Sequence, residues 1–314
     1  SQLRPLALLA LIVAAGLAGA ARAQSAEPAL SPPRTVGVPA PAEQIDAAIA
    51  RLDEIVGEVM RRSRIPGLAV AVVREGRTVQ AQGFGLRKVG DPAPVDADTV
   101  FQLASLSKSV GATVVARQVS EGRIEWTTPL VRHLPWFALS DPWVTQHVTV
   151  GDLYAHRAGL PDHVGDDLED LGFDRRAILE KLRLAPLAPF RAHYAYTNYG
   201  LTAAAEAVAA AAGEDWASLS QSALYAPLGM ASTSSRHDDF RRQANRAFAH
   251  TPGAKGYEPN ERRDPDDQSA AGGVSSSARD MARWMALVLA QGLHEGKPFI
   301  AKEALLPAIT PQSV

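Results

Sequence analysis

Phe101-Gln102-Leu103-Ala104-Ser105-Leu106-Ser107-Lys108 is the stretch on which the reading of this chain turns. Ser105 and Lys108 stand three apart, so on a helix both side chains lie on one face within contact distance. A serine hydroxyl is a poor nucleophile until a base takes its proton. A lysine serves as that base only where burial or neighbouring charge favours its neutral amine, and the apolar flank Leu103, Ala104, Leu106 and Val110 supplies the desolvation. A serine at a helix N-terminus also turns its own backbone N–H toward a developing oxyanion. Alone the pair is weak evidence. With 20 serines and 6 lysines in 314 residues, roughly 0.4 such spacings arise by chance, and a capped helix carrying a surface lysine is the better account of one taken alone.

A second segment lies about ninety residues on. Arg191-Ala192-His193-Tyr194-Ala195-Tyr196-Thr197-Asn198-Tyr199-Gly200 precedes a helix and holds a Tyr-x-Asn unit. A phenol shuttles a proton when a nearby cation favours the phenolate, and an amide orients both lysine and substrate. Read structurally, the same loop is an aromatic segment that packs against the following helix and caps it.

Ser105-x-x-Lys108 followed by Tyr196-x-Asn198 resembles the class C β-lactamase-like serine hydrolases, a group that includes DD-peptidases, D-aminopeptidases and esterases. Three further segments match in order: His156-Arg157-Ala158-Gly159-Leu160-Pro161, Pro227-Leu228-Gly229-Met230 with Thr233, and Ala271-Gly272-Gly273-Val274-Ser275-Ser276. The resemblance covers about residue 45 to the end. It implies an α/β (α+β) fold of the β-lactamase/transpeptidase type, in which an antiparallel sheet of five or more strands, flanked by helices, stands beside a mainly helical lobe. It makes Ser105 the acylated nucleophile and Lys108 its proton acceptor. By the same resemblance Tyr196 is expected to pass a proton to the leaving group and activate the deacylating water, and Asn198 to hold Lys108 and the substrate amide. It implies no metal and no organic cofactor. The class A unit Ser-Asp-Asn is not supplied by Ser140-Asp141-Pro142, and the Gly-x-Ser-x-Gly elbow of α/β-hydrolases is absent from the sequence.

The pattern has one gap. The family's third motif, Lys-Thr-Gly or His-x-Gly on a strand that also gives the second oxyanion N–H, has only His294-Glu295-Gly296 as a match in letters. Gly292 and Pro298 flank that triplet with turn signals, so it reads as a loop. The motif and the terminal strands are expected beyond Val314. The stretch alone is then expected to acylate poorly, since one oxyanion donor is worth about 10²–10³ in rate in a well-studied hydrolase.

Composition narrows the alternatives. Apolar residues at 46% and charged residues at 21% suit a globular chain with a real core. The 32 basic and 34 acidic residues nearly cancel, which removes the footprint of a nucleic-acid partner. Without cysteine there is no disulfide framework, thiol nucleophile or Cys-based zinc site. Arg4, the apolar run Leu6–Ala21 and Ala21-Arg22-Ala23 read as an export signal over 1–23. The run is too short for a comfortable membrane span, so a periplasmic or secreted protein without a stable span is expected. Residues 24–42, with five prolines, read as a semi-extended linker, and 43–314 as the hydrolase domain, C-terminally incomplete.

Within that domain the spacing predicts an amphipathic helix over Ile45–Met60, a hairpin from Leu68–Val73 and Thr78–Phe84, and an Ala-rich helix over Gly200–Ala212 ended by Gly213. Further helices are predicted over Trp216–Tyr225 and from a capping box at Ser277–Asp280 to about Gln291. Residues 251–270 read as an exposed polar loop. Asp162, Asp166, Asp167, Glu169, Asp170 and Asp174 read as a solvated acidic loop that rims the cleft and favours cationic substrates, their spacing not fitting a calcium loop. The eight histidines read as structural or surface residues. The expected substrate is a small molecule or peptide with an amide, β-lactam or ester bond. The alternative is a penicillin-binding or cell-wall-sensing module that acylates without turnover; a pseudoenzyme forms no adduct. Substrate identity and oligomeric state are not legible.

Overall fold

Two short helices lead into the domain. A computed structural model describes residues 40–313 apart from Lys255 and Arg262; the expected export signal, and the Pro-rich segment as far as residue 39, lie outside the described residues. Helices α1 (Ala42–Ala50) and α2 (Leu52–Ser63) occupy the span expected as one helix. The break falls at Arg51, whose ψ of 12° leaves helical geometry while its guanidinium turns to Glu54. Polar contacts fasten both helices to the hairpin that follows: Asp46 accepts from Arg74 Nη1 and Asp53 from Gln82 Nε2, each at 2.6 Å.

Strands β1 (Gly67–Arg74) and β2 (Arg77–Gly85) pair antiparallel in the predicted hairpin, from Gly67↔Gly85 to Arg74↔Arg77. Glu75 (φ 53°) and Gly76 (φ 73°) are both left-handed, which makes the two-residue turn whose twist matches the strands. These two strands form one of four two-stranded sheets among the described residues, where the resemblance implies one sheet of five or more. No residue of either strand is fully buried, so the main core lies elsewhere.

That core is the helical lobe. After β3 (Val100–Gln102) the chain makes a 3₁₀ turn at Ala104–Leu106 and enters α3 (Ser107–Ser120), in which Val110, Val114, Val115 and Ala116 have no exposed surface. Helix α4 (Val150–Tyr154) opens on a capping box between Thr149 and Asp152. Helix α5 (Asn198–Ala212) begins two residues earlier than predicted and ends at left-handed Gly213 as predicted. Its buried alanines 203, 204, 205 and 207 let α3 and α4 approach closely. Around them Leu130, Leu153, Ile178, Leu179 and Leu182 are at most 1% exposed, each burial contributing about 2 kcal/mol. The helix expected over Trp216–Tyr225 is present, but Gln221–Tyr225 is wound as a π-helix. Ser220 Oγ bonds back to Trp216 O at 2.8 Å, a contact that perturbs helices from within.

Residues 251–270 depart from the expected exposed loop. The first half is a hairpin of β4 (His250–Gly253) and β5 (Gly256–Pro259). The second turns inward through Asp266–Gln268 and the short helix Ser269–Gly272, leaving Gln268, Ser269 and Ala270 only 2–3% exposed. The acids that made this stretch look solvated are taken up by backbone donors: Asp266 accepts from His237 N (2.9 Å) and Asp267 from Arg175 N (3.0 Å). A half-buried carboxylate is tolerated on those terms.

Strand β6 (Ser275–Ser277) then pairs antiparallel with β3, Phe101 opposite Ser276, and α6 (Ala278–Leu289) follows. Half of the expected capping box forms: Ser277 Oγ accepts from Asp280 N at 3.2 Å. The Asp280 carboxylate turns away to Ser232 N (2.8 Å) and Thr233 Oγ1 (3.1 Å). Met281, Trp284 and Met285 of α6 line an apolar groove of about 450 Å³ with Leu68 and Ala71 of β1. Helix α7 (Lys302–Ile309) lies against α3. Among the described residues no helix is long and apolar enough to cross a membrane.

Candidate active site

The β3–β6 pairing delivers Ser105. Leu103 N–H donates to Val274 O (2.8 Å) and Val274 N–H donates to Ser107 Oγ (3.0 Å), so buried Ser107 ties the start of α3 to the Gly272-Gly273-Val274 segment. Between these ties Ala104 has φ 47°, a conformation that costs a residue with a Cβ about 1 kcal/mol. The kink turns Ser105 out to solvent and Ser107 in. The Ser105 amide belongs to the first turn, where helix N–H groups have no intrahelical acceptor.

Four expected residues converge. Ser105 Oγ lies 2.6 Å from Tyr196 Oη and 3.1 Å from Lys108 Nζ. Lys108 Nζ donates to Asn198 Oδ1 at 2.7 Å and to Ala271 O at 2.8 Å, and stands 4.6 Å from the centre of the Tyr196 ring. Two of its three polar neighbours are thus acceptor-only atoms. Burial lowers the Lys108 pKa; Tyr196 and the Asp166 charge pull the other way, and Arg263 adds to the lowering. A neutral amine here spends both N–H groups on Asn198 and Ala271 and keeps its lone pair for the serine.

Tyr196 is seated by two histidines. His156 Nδ1 accepts from Thr197 N–H at 3.1 Å, and its ring lies 4.9 Å from that of Tyr196. Ala195 N–H donates to His156 O (2.9 Å) and His163 N–H to Tyr196 O (2.8 Å). The His163 ring is 5.2 Å from the phenol on another side. The acceptor role of His156 requires a neutral ring, and burial, helped by the Lys108 charge, pushes its pKa down to about 4. Below the unfolded value near 6.5 the unfolded chain takes up a proton that folded His156 refuses, so stability falls with pH until folded His156 titrates as well. At pH 4 this group costs about 3 kcal/mol relative to pH 7. Denaturant unfolding across that range should show the loss in the native protein and a shallower one in His156→Gln, which keeps an acceptor for Thr197. Equal slopes would remove His156 as the cause.

The segments feeding Tyr196 hang on one buried carboxylate. Asp152 has no exposed surface and accepts from Arg157 Nε (2.8 Å), Arg191 Nε (2.9 Å), Arg191 Nη2 (2.7 Å) and both donors of Thr149. Burial alone would raise its pKa; the bonds from Arg191, Thr149 and Arg157 hold it below the usual carboxylate range. Arg191 N–H also donates to Arg157 O at 2.9 Å.

Two expectations change here. The acidic stretch is partly helical and partly committed: Asp174 caps the helix Arg175–Lys181, Glu169 accepts from Arg263 at 3.0 Å, and Asp166 accepts from Asn198 Nδ2 at 2.9 Å. Asp162, Asp167, Asp170 and the capping Asp174 are its exposed acids. His156, read as structural by default, holds the phenol. His294-Glu295-Gly296 forms the tight turn of a two-residue hairpin, with Glu295 at φ 50° and Gly296 at φ 75°, and His294 lies against Phe299. A cavity of about 750 Å³ borders Lys108 and His156 but not Ser105; Ser105 opens on the solvent face instead. Among the described residues no group of three or more His, Cys, Asp or Glu side chains is placed to hold a metal ion.

A solvent-facing serine at the mouth of a buried helix, met by an amine, a phenol and an amide beside a helical lobe, is a β-lactamase/transpeptidase-like arrangement. The chain matches the Beta-lactamase family over residues 52–310 and belongs to that family. It is 29% identical over 248 residues to the Unguisins hydrolase ungD' of Aspergillus campestris, covering 75% of this chain and 46% of that protein. With the Esterase EstB of Burkholderia gladioli it shares 31% identity over 209 residues, covering 59% and 52%. The crystal structure of a class C β-lactamase from Rhodobacter sphaeroides superposes with a TM-score of 0.65 at 27% identity, covering 85% of this chain and 70% of that one. The chain spans about half the length of the curated relatives it matches.

Proposed function

We propose that the protein is a serine hydrolase that works through an acyl-enzyme on Ser105. The observation that carries this reading is the placement of Lys108 Nζ, 3.1 Å from Ser105 Oγ and bonded to Asn198 Oδ1 and Ala271 O; in the neutral amine those two bonds leave the lone pair for the serine. Ser105 Oγ attacks the substrate carbonyl carbon as its proton passes to Lys108. The tetrahedral species collapses with cleavage of the bond to the leaving group, which takes a proton from Tyr196 Oη, and Lys108 returns a proton to the phenolate. Water then attacks the ester carbonyl, giving a proton to Tyr196 Oη as the phenol passes its own to Lys108, and on collapse Ser105 Oγ takes a proton back from Lys108 as the acid leaves. Strain at Ala104, His156, His163 and Arg191, four of the eight left-handed non-glycine residues described, supports a site built for chemistry.

The substrate class is an amide, β-lactam or ester. The relatives named as a hydrolase of unguisins, an esterase and a β-lactamase support that breadth, since one fold serves many acyl groups. Arg4, the apolar run Leu6–Ala21 and Ala21-Arg22-Ala23 support export to the periplasm or medium, which N-terminal sequencing from Gln24 would check. For the chemistry, the full-length protein is incubated with an activated ester and with a fluorescent penicillin, and adducts are mapped by mass spectrometry. We expect a transient adduct on Ser105 with at least one probe and none in Ser105→Ala. A stable adduct without product favours the penicillin-binding alternative, and an adduct on another residue overturns the assignment.

A further inference from the structure

The Asn198 amide faces two partners of opposite demand. Its Oδ1 takes a hydrogen from Lys108 Nζ, and its Nδ2 gives one to Asp166 Oδ2. The two ends of an amide are nearly the same size, so lysine alone does not fix which end faces it; a neutral amine accepts from Nδ2 as readily as it donates to Oδ1. A carboxylate only accepts. Asp166 therefore admits one orientation, with nitrogen outward and oxygen toward the lysine. The alternative would aim an N–H at the Lys108 lone pair and take it from Ser105.

The surroundings hold Asp166 in that place. The same Oδ2 lies 2.8 Å from His163 Nδ1, and the His163 backbone N–H is bonded to Tyr196 O. Gly165, at φ 93°, runs so close to the Tyr199 ring that a Cβ there would lie 3.0 Å from Cδ2. One short segment, residues 163–166, thus grips Tyr196 of the motif loop and Asn198 and Tyr199 at the start of α5.

We propose that Asp166 is a positioning residue of the hydrolytic site: its carboxylate selects the Asn198 amide orientation that leaves the Lys108 lone pair directed at Ser105. The inference rests on the reading of Lys108 as the base. Asp166 also places a negative charge near the amine. The other groups acting on Lys108 are Tyr196 and Arg263, with His156 and His163 coupled to it from the flanking segments and Asp162 acting on both histidines.

The test compares single-turnover acylation of the full-length protein by an activated ester in Asp166→Ala, Asp166→Asn, Asn198→Ala and the double variant Asp166→Ala/Asn198→Ala. Asp166→Ala is expected to slow acylation about 10- to 100-fold, the range of a lost supporting contact, with KM changed less than about threefold. Asp166→Asn retains an acceptor but adds a donor, so it is expected to recover only part of the rate. It removes the charge, so its acid limb shifts to lower pH. In the Asn198→Ala background Asp166→Ala is expected to add less than about twofold, because the residue acts through that amide. Nitrogen-15 titration of the lysine side chains gives a readout apart from turnover: the Lys108 midpoint should fall in Asp166→Asn. Full multiplication of the two single effects in the double variant, or native acylation in Asp166→Ala, overturns the proposal. Native acylation in Lys108→Ala would instead overturn the reading on which it rests.

Discussion

Lys108→Arg is expected to lose acylation almost as completely as Lys108→Ala, by roughly 10³-fold, within the 10²–10⁴ a positioned base supplies. The two substitutions separate two roles. A lysine that merely held Asn198 and Ala271 O by charge would be replaced in part by a guanidinium, which offers more donors. A lysine that takes a proton would not, because arginine stays protonated throughout the accessible range. Native Lys108 is half-buried, with its pKa lowered first by that burial. The acylation rate should therefore rise with pH as the amine deprotonates, with a midpoint below the ordinary lysine range. Stopped-flow measurement with an activated ester reads both effects. Retention of more than about a tenth of the native rate in Lys108→Arg would take the amine out of the proton path.

Asp152→Ala is expected to destabilise the fold by about 3 kcal/mol, the lower end of the cost of breaking a buried ion pair. The carboxylate has no exposed surface and joins α4 to Arg157 and Arg191. Removing it strands both guanidiniums, which are themselves 29% and 46% exposed and so partly rehydrate. Asp152→Asn keeps an acceptor and should cost less. Because Arg191 and Arg157 lead into the segments that bond Ala195 and Thr197, the surviving folded Asp152→Ala should also acylate more slowly. Urea unfolding and single-turnover rates measure the two consequences separately. A change under about 1 kcal/mol would show that this network is solvated well enough to be dispensable.

Parts of this architecture were legible because they are written in short-range terms. Glu75-Gly76 between two β-rich runs gave the hairpin, and Gly213 closed the alanine-rich helix, through backbone preferences that act within a few residues. Ser105 and Lys108 are neighbours through one helical turn, so their contact needed no knowledge of the rest of the chain. Asp266 and Asp267 misled for the complementary reason. Composition reports what a carboxylate prefers in water, and here backbone N–H groups of His237 and Arg175 replace that water.

The sequence by itself determined that a hydroxyl and an amine share a helix face, and that a phenol and an amide stand together ahead of another helix. Tertiary structure alone decided that these pairs meet, that the carbonyl of Ala271, 163 positions from Lys108, takes one of its hydrogens, and that His156 and Asp166 hold the phenol and the amide in place. The physical reason is one of range. Helical spacing and turn preferences act over a few residues and leave a periodic trace, whereas hydrogen bonds between segments tens of residues apart are set by how the core packs.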